Sequence, residues 1–157
     1  MPVYEASIQV ASQATAPYVV CALRGPTGLN ARLLELDVFT LTAPTTSLQL
    51  VLCNSTALGT GALSNNMIGI SRTSDRSAGT GNLIGTWATA RPTIGGVTTY
   101  MKRIVLPASL GAGVMRSFDL AHPLELALGN AAAGDLCLVQ TSATASGDLA
   151  ISAAWIE

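Results

Sequence analysis

The 157-residue sequence predicts an all-β fold: eight or more short antiparallel strands in two packed sheets, a single β-sandwich or jelly-roll-like domain spanning residues 1–157. Three observations predict it. Apolar side chains recur with period two in short runs, so each run presents one face of a strand to a core. Turn-forming residues stand between the runs, and no stretch carries the 3.6-residue apolar period of a long amphipathic helix.

Residues 1–16 read as either an extended N-terminal arm or a strand, with Val3 to Val10 as the alternating part. Chain ends are poorly ordered unless tied down, so Met1 to Tyr4 are expected to reach a neighbouring subunit. Pro17 to Leu23 follows, and Gly25-Pro26-Thr27-Gly28 turns the chain, with proline presetting φ. From Arg32 to Leu41, Leu34, Leu36 and Val38 alternate with Glu35 and Asp37. Asn30 could cap a helix here, but the β-branched and aromatic Val38, Phe39 and Thr40 continue the alternation, and strand is the reading. Pro44, within Thr42-Ala43-Pro44-Thr45-Thr46, ends that strand.

Ser47 to Cys53 is the clearest run, with Leu48, Leu50 and Leu52 on one face and Ser47, Gln49 and Val51 on the other. Val97 to Leu106, Val114 to Leu120, Asp135 to Thr141 and Asp148 to Ile156 complete the strands, with corners at Gly95-Gly96 and Ser146-Gly147-Asp148. Two polar, glycine-rich stretches, Asn54 to Asn66 and Ser74 to Asn82, read as functional surface loops or as segments ordered by a partner. Pro123 to Leu128 reads as one helical turn, since proline suits the first helical position.

Charged residues make up only 11% of the chain, against about 25% in typical soluble proteins. The net charge is −1, and one lysine and seven arginines are scattered along the sequence, which removes the basic patch that nucleic acid requires. Mean hydropathy is +0.45, yet the longest uncharged run, Val38 to Ser71, is interrupted by Pro44, glycines and many hydroxyl side chains, so no transmembrane helix and no membrane partner are expected. The opening MPVYEASIQV lacks the basic start and apolar stretch of a signal peptide, so the expected place of synthesis and assembly is the cytoplasm.

His122 is the single histidine, which excludes a Ser-His-Asp or Cys-His relay with a spare base and a multi-histidine metal site within one chain; ahead of Pro123 it reads as a loop residue. Cys21, Cys53 and Cys137 lie in apolar runs at spacings of no zinc or redox motif and read as buried, reduced thiols. Glu35 and Asp37 share a strand face, as a glycosidase pair would, but read as the solvent face of an outer strand. Gly59-Thr60-Gly61 and Gly79-Thr80-Gly81 lack the lysine and Ser/Thr of a phosphate loop. No catalytic residue, cofactor or metal site is expected. Trp87 and Trp155 are placed in the core or in a subunit contact. Large apolar anchors dominate association in a charge-poor protein, so at least two of Tyr4, Trp87, Tyr100 and Met115 are expected at an interface.

Arg91-Pro92-Thr93 through Tyr100-Met101-Lys102-Arg103, then Leu106-Pro107-Ala108, Gly111-Ala112-Gly113-Val114 and Phe118, form a pattern that resembles small virion-associated proteins of tailed bacteriophages. The strand Leu34-Glu35-Leu36-Asp37-Val38-Phe39 and the close Leu149 to Glu157, with Trp155 before a terminal acid, fit the same likeness; Arg116 stands where the family usually has an aromatic. The resemblance covers about two-thirds of the chain, from Arg32 onward. It implies a jelly-roll-like capsid decoration or cement protein without enzymatic activity, located on the virion surface. The implied partner is the major capsid protein; the neutral, lysine- and glutamate-poor exterior, interface-like in itself, adds the expectation of further copies of the chain, as a homotrimer on a symmetric lattice. The rival expectation is a receptor-binding or tail-fibre module that recognises cell-surface glycans through loops around Ala57 to Asn65 and Asp75 to Asn82.

Overall fold

The computed structural model describes residues 2–25, 31–60, 66–72, 77–94, 101–118, 124–126, 134–143 and 147–157. These residues form eleven strands and no helix: β1 (Val3–Ala11), β2 (Tyr18–Arg24), β3 (Ala31–Thr40), β4 (Leu48–Asn54), β5 (Asn66–Ser71), β6 (Ala78–Ile84), β7 (Lys102–Leu106), β8 (Gly113–Ser117), β9 (Leu124–Leu126), β10 (Leu136–Gln140) and β11 (Asp148–Ile156). No helix among them is long and apolar enough to cross a membrane. The all-β antiparallel class is therefore as the sequence predicts, and each of the eight alternating runs holds a strand, Val97 to Tyr100 and Asp119 to Leu120 lying outside the described residues.

Of the two readings of the N-terminal residues, the strand holds: Val3–Ala11 pairs with β11 along its whole length, so Val3 and Tyr4 are tied into their own chain's sheet. Two segments correct the sequence reading. Leu124–Leu126 is a strand on β3, in place of a helical turn. Most of Ser74 to Asn82, read as a loop, lies in the hairpin of β5 and β6. Glycine and hydroxyl residues argued for a loop there, but the glycines make room for Trp155. A Cβ at Gly69 would lie 2.3 Å from its ring and one at Gly81 2.8 Å from its indole nitrogen. Tertiary packing of the largest side chain outweighs local propensity. Tyr100 and His122, and the corner Gly95-Gly96, lie outside the described residues.

The pairings are nested. β1 pairs with β11, β2 with β10, β3 with β8 and β9, β4 with β7, and β5 with β6, every one antiparallel. A long hairpin folded back over itself gives this pattern, which is that of a jelly roll. Lateral ladders then join the arms into one continuous path, β7-β4-β10-β2-β6-β5-β1-β11-β3-β8. The two sheets expected from the sequence are thus two halves of one sheet wrapped around a common core. Its end strands, β7 and β8, come into contact where the path nearly closes.

Inside lies the main core: Ala6, Ile8 and Val10 of β1, Leu36 and Val38 of β3, Leu48, Leu50 and Leu52 of β4, Leu136 and Leu138 of β10, and Leu149, Ile151, Ala153 and Trp155 of β11. In β2 a bulge opposite Leu138 and Val139 leaves Val20 without a ladder partner, so that both Val20 and Cys21 face this core.

A second apolar cluster, Val19, Ala22, Val51, Cys53, Ile84, Trp87, Cys137 and Val139, lies on the outer surface of the β4-β10-β2-β6 half. The runs YVVCAL, LVLC and LCLV are continuous because these strands are buried on both faces. All three thiols are free and buried. Cys21 faces the inner core, whereas Cys53 and Cys137, ladder partners on adjacent strands, lie in the outer cluster. Burial pushes the Cys21 thiol up to about 12 and raises Cys53 as well; burial, with neighbouring Asp135, raises Cys137.

Segments 55–60 and 85–94 cover the outer cluster. They are joined by backbone hydrogen bonds from Thr56 to Thr93, from Thr93 to Ala57 and from Thr60 to Ala90. Asp135, fully buried, anchors the cover: its carboxylate accepts from Arg24 Nε at 2.9 Å and Nη2 at 2.8 Å, and its amide donates to Ser55 Oγ at 2.7 Å. Arg24 Nη2 also donates to the carbonyl of Gly59 in the cover. Removing one partner of a buried pair leaves the other charge uncompensated. Asp135→Ala is therefore expected to cost about 3 kcal/mol, seen as a lower urea midpoint, whereas Arg72→Ala, at an exposed pair, should cost less than about 1 kcal/mol. Equal losses would contradict this assignment.

Candidate functional site

The other half of the sheet has an outer face that no described segment of the chain covers. Ladder register gives its layout. One row runs Ile70, Glu5, Ala154, Glu35, Ser117; the next Ser7, Ser152, Asp37, Met115; the third Gln9, Ala150, Phe39, Gly113. Small residues occupy the central strand β11, because the flanking strands reach over it. Arg72, just past β5, donates from Nε to Glu5 at 2.8 Å and from Nη2 to Glu35 at 2.7 Å. The two carboxylates flank Ala154, and Ala154 is only 2% exposed although it faces outward. A larger side chain at 154 would displace this bridge. In the next row Ser152 donates to Ser7 at 3.0 Å.

Asp37 has no ion pair or hydrogen bond of its side chain among the described residues. Burial, then the charges of Glu35 and Glu5, raise its carboxyl above the ordinary value of 3.8, and Arg72 offsets this only in part. Glu5 and Glu35 thus share the Arg72 guanidinium, with Asp37 beside them. At the turn end the surface becomes apolar, with Phe39 37%, Leu41 42%, Leu110 71% and Met115 71% exposed. Gly113 lets the Phe39 ring lie across β8, since a Cβ there would fall 2.0 Å from ring carbon Cδ1. Thr40, buried, fixes the β7–β8 turn: its hydroxyl donates to the carbonyl of Ser109 at 2.7 Å, and its carbonyl accepts from the Gly111 amide at 3.0 Å. Leu110 is presented by that turn.

The end strands adjoin this surface. Val105 of β7 is exposed, and so are Lys102 and Arg116, although their ladder partners Leu52 and Leu36 belong to the core. Neither Lys102 nor Arg116 has an ion pair among the described residues. Charges in the inward register of an edge strand discourage strand-to-strand pairing with other chains.

Of the interface candidates from sequence, Met115 lies in this surface. Tyr4 is half-buried against the main core, and Trp87 is buried in the cover, where it packs in the outer cluster. Trp155 belongs to the core, and Glu35 and Asp37 do share an open face, though of β3, a strand flanked by β11 and β8 and not an edge strand. Gly79-Thr80-Gly81 lies in β6, where the Thr80 and Gly81 amides bind the Glu157 carboxylate at 2.9 and 2.5 Å. Burial would raise that carboxyl, but hydrogen bonds from the Thr80 amide, Trp155, the Gly81 amide and the Thr80 hydroxyl together hold it below the ordinary value. No group of three potential metal ligands occurs among the described residues. Phe39, Leu41 and Leu110 were not singled out from sequence; the outward phase of Glu35 and Asp37 extends to Phe39 and Leu41 and would have found two of them.

No family model, curated protein or solved structure matches the chain.

A carboxyl with a raised folded-state pKa disfavours the folded chain at neutral pH, and the cost disappears as pH falls through that pKa. Asp37→Asn is therefore expected to raise the thermal midpoint of the dilute protein at pH 7 and to leave it unchanged at pH 3. A lower midpoint at pH 7 would mean that the carboxylate supports the fold.

Proposed function

We propose that this chain is a non-enzymatic structural subunit of a tailed-phage particle, a decoration protein that binds the capsid exterior and stabilises it. The observation that carries the reading is the outer face that no described segment covers, with Phe39, Leu41, Leu110 and Met115 exposed at one end. Contiguous exposed apolar side chains rimmed by polar ones mark a surface that works against another protein. The face is broad, its central strand is small-sided, and the chain as a whole is poor in lysine and glutamate, as interfaces are. A jelly-roll pairing pattern agrees with this reading without assigning it, since one fold serves many functions. The resemblance of the Arg91 to Phe118 stretch and of the Leu149 to Glu157 close to virion-associated proteins supplies the kind of particle. Stabilisation would follow by mass action: a subunit that binds only the intact shell raises the free energy of opening it.

Purified protein added to particles that lack it should appear by cryo-electron microscopy in many copies over the head, and should raise their melting temperature. Met115→Glu is expected to weaken this binding at least about tenfold, the scale of one central interface anchor. Density confined to the tail tip would replace the proposal with a receptor-binding role, and no association at all would sink it.

A further inference from the structure

Two thiols stand opposite each other beneath the cover. Cys53 of β4 and Cys137 of β10 are ladder partners, and both side chains lie in the outer cluster. The bonds on either side fix the kind of position they occupy. The Ser55 amide donates to the Asp135 carbonyl at 2.9 Å, and the Thr141 amide donates to the Gln49 carbonyl at 2.9 Å. Hydrogen-bonded pairs recur at every second position of an antiparallel ladder, and Cys53 with Cys137 falls in that phase, which sets their Cα atoms about 5.5 Å apart. A disulfide spans roughly 4.4–6.8 Å between Cα atoms. Cys21 cannot compete for either thiol: its ladder partner is Leu138, and it faces the inner core on the other side of the sheet.

We propose that Cys53 and Cys137 form a site of reversible oxidation, shielded by the cover in the reduced protein and converted by a peroxide to a cross-strand disulfide when the cover opens. While the cover is closed both thiols are dry and protonated, and because the thiolate is the nucleophile they are inert. Opening of segments 55–60 and 85–94 admits water and oxidant together. Cys53, less deeply buried than Cys137 and next to the start of the cover, attacks first. Its sulfur takes one oxygen of hydrogen peroxide as the O–O bond breaks, and the hydroxide that leaves takes up the thiol's proton. Cys137 then attacks the sulfenic sulfur; the S–S bond forms as the S–O bond breaks, and the second hydroxide takes up the second proton. Two thiols and one peroxide become one disulfide and two waters, two electrons passing from sulfur to oxygen, and a dithiol reverses the change by exchange. The bond ties together the strands from which the cover is held, since Ser55 lies just past Cys53 and Asp135, whose amide donates to Ser55 Oγ, lies just before Cys137. The inference goes beyond the particle reading and does not depend on it; for a particle, oxidation would follow release from a reducing cytoplasm.

The test uses the full chain, reduced and then freed of reductant. Hydrogen peroxide in small molar excess is added without denaturant, the remaining thiols are alkylated in denaturant, and unreduced peptides are identified by mass spectrometry. Wild type is expected to give one cross-linked species, Cys53 joined to Cys137, lighter than the reduced chain by two hydrogens, with Cys21 alkylated. Its thermal midpoint should exceed that of the reduced protein by at least about 4 °C and should return on treatment with dithiothreitol. Cys21→Ala should still cross-link, whereas Cys53→Ala should not. Trp87→Ala should cross-link at least about tenfold faster, and wild type in urea below its unfolding transition supplies the same opening should that variant fail to fold.

Thiols that all remain free, oxidation that stops at a sulfinic acid on either residue, a bond that includes Cys21, or a bond between two chains overturns the proposal. So does a cross-link that forms only above the unfolding transition, a rate that neither Trp87→Ala nor urea changes, or a thermal midpoint that does not rise on oxidation. None of these outcomes bears on particle binding, which is measured separately.

Discussion

A β-sheet has two faces, and in this protein the interior needs only one of them. Every outer surface must be wet, covered by the chain or covered by something else, and the fate of the two halves follows from that constraint. Strands β2, β4, β6 and β10 carry apolar side chains on both sides, so their outer face cannot be left to water. Segments 55–60 and 85–94 cover it, and the buried Asp135 ties them to Arg24 and thus to the sheet. A single exposed ion pair is worth at most about 1 kcal/mol, whereas breaking a buried one costs several. The fully buried carboxylate is therefore the contact on which the cover depends.

The opposite half alternates cleanly. Ala6, Ile8 and Val10 face inward while Glu5, Ser7 and Gln9 face outward, and β11 and β3 follow the same phase. Such a face can remain in water without a cover. It is not uniformly polar, however: Phe39, Leu41, Leu110 and Met115 collect at one end, and the acids at the other share one arginine. Both features cost something in an isolated chain, as exposed apolar area and as electrostatic repulsion.

Much of this was legible in the sequence. Period-two runs at Ser47 to Cys53 and Arg32 to Leu41 located strands to within a residue or two, because one-sided burial writes itself into alternation. The β5–β6 hairpin was hidden by Gly69, Gly79 and Gly81, whose lack of side chains answers to Trp155 and Tyr4, residues far away in the chain. Likewise, Cys53 and Cys137 could be read as buried, but not as buried under a cover, since a run such as LVLC does not record which face each residue takes. Met115 was visible as an anchor of the candidate surface. Leu110 was not: its position depends on the Thr40 bonds that hold the turn, and those join residues about 70 positions apart.

The central claim is that one half of the sheet separates two buried compartments, with Cys21 on the inner side and Cys53 and Cys137 on the outer. Trp87 lies in the middle of the cover, so Trp87→Ala should loosen the outer compartment by local opening while the inner core stays closed. The most direct test is the rate of alkylation at each cysteine under native conditions, resolved by peptide mass spectrometry. Cys53 and Cys137 are expected to react many times faster in the variant than in wild type, with the Cys21 rate unchanged. Equal acceleration of all three thiols, or reaction of Cys21 ahead of the other two, would contradict a sheet with two separately buried faces.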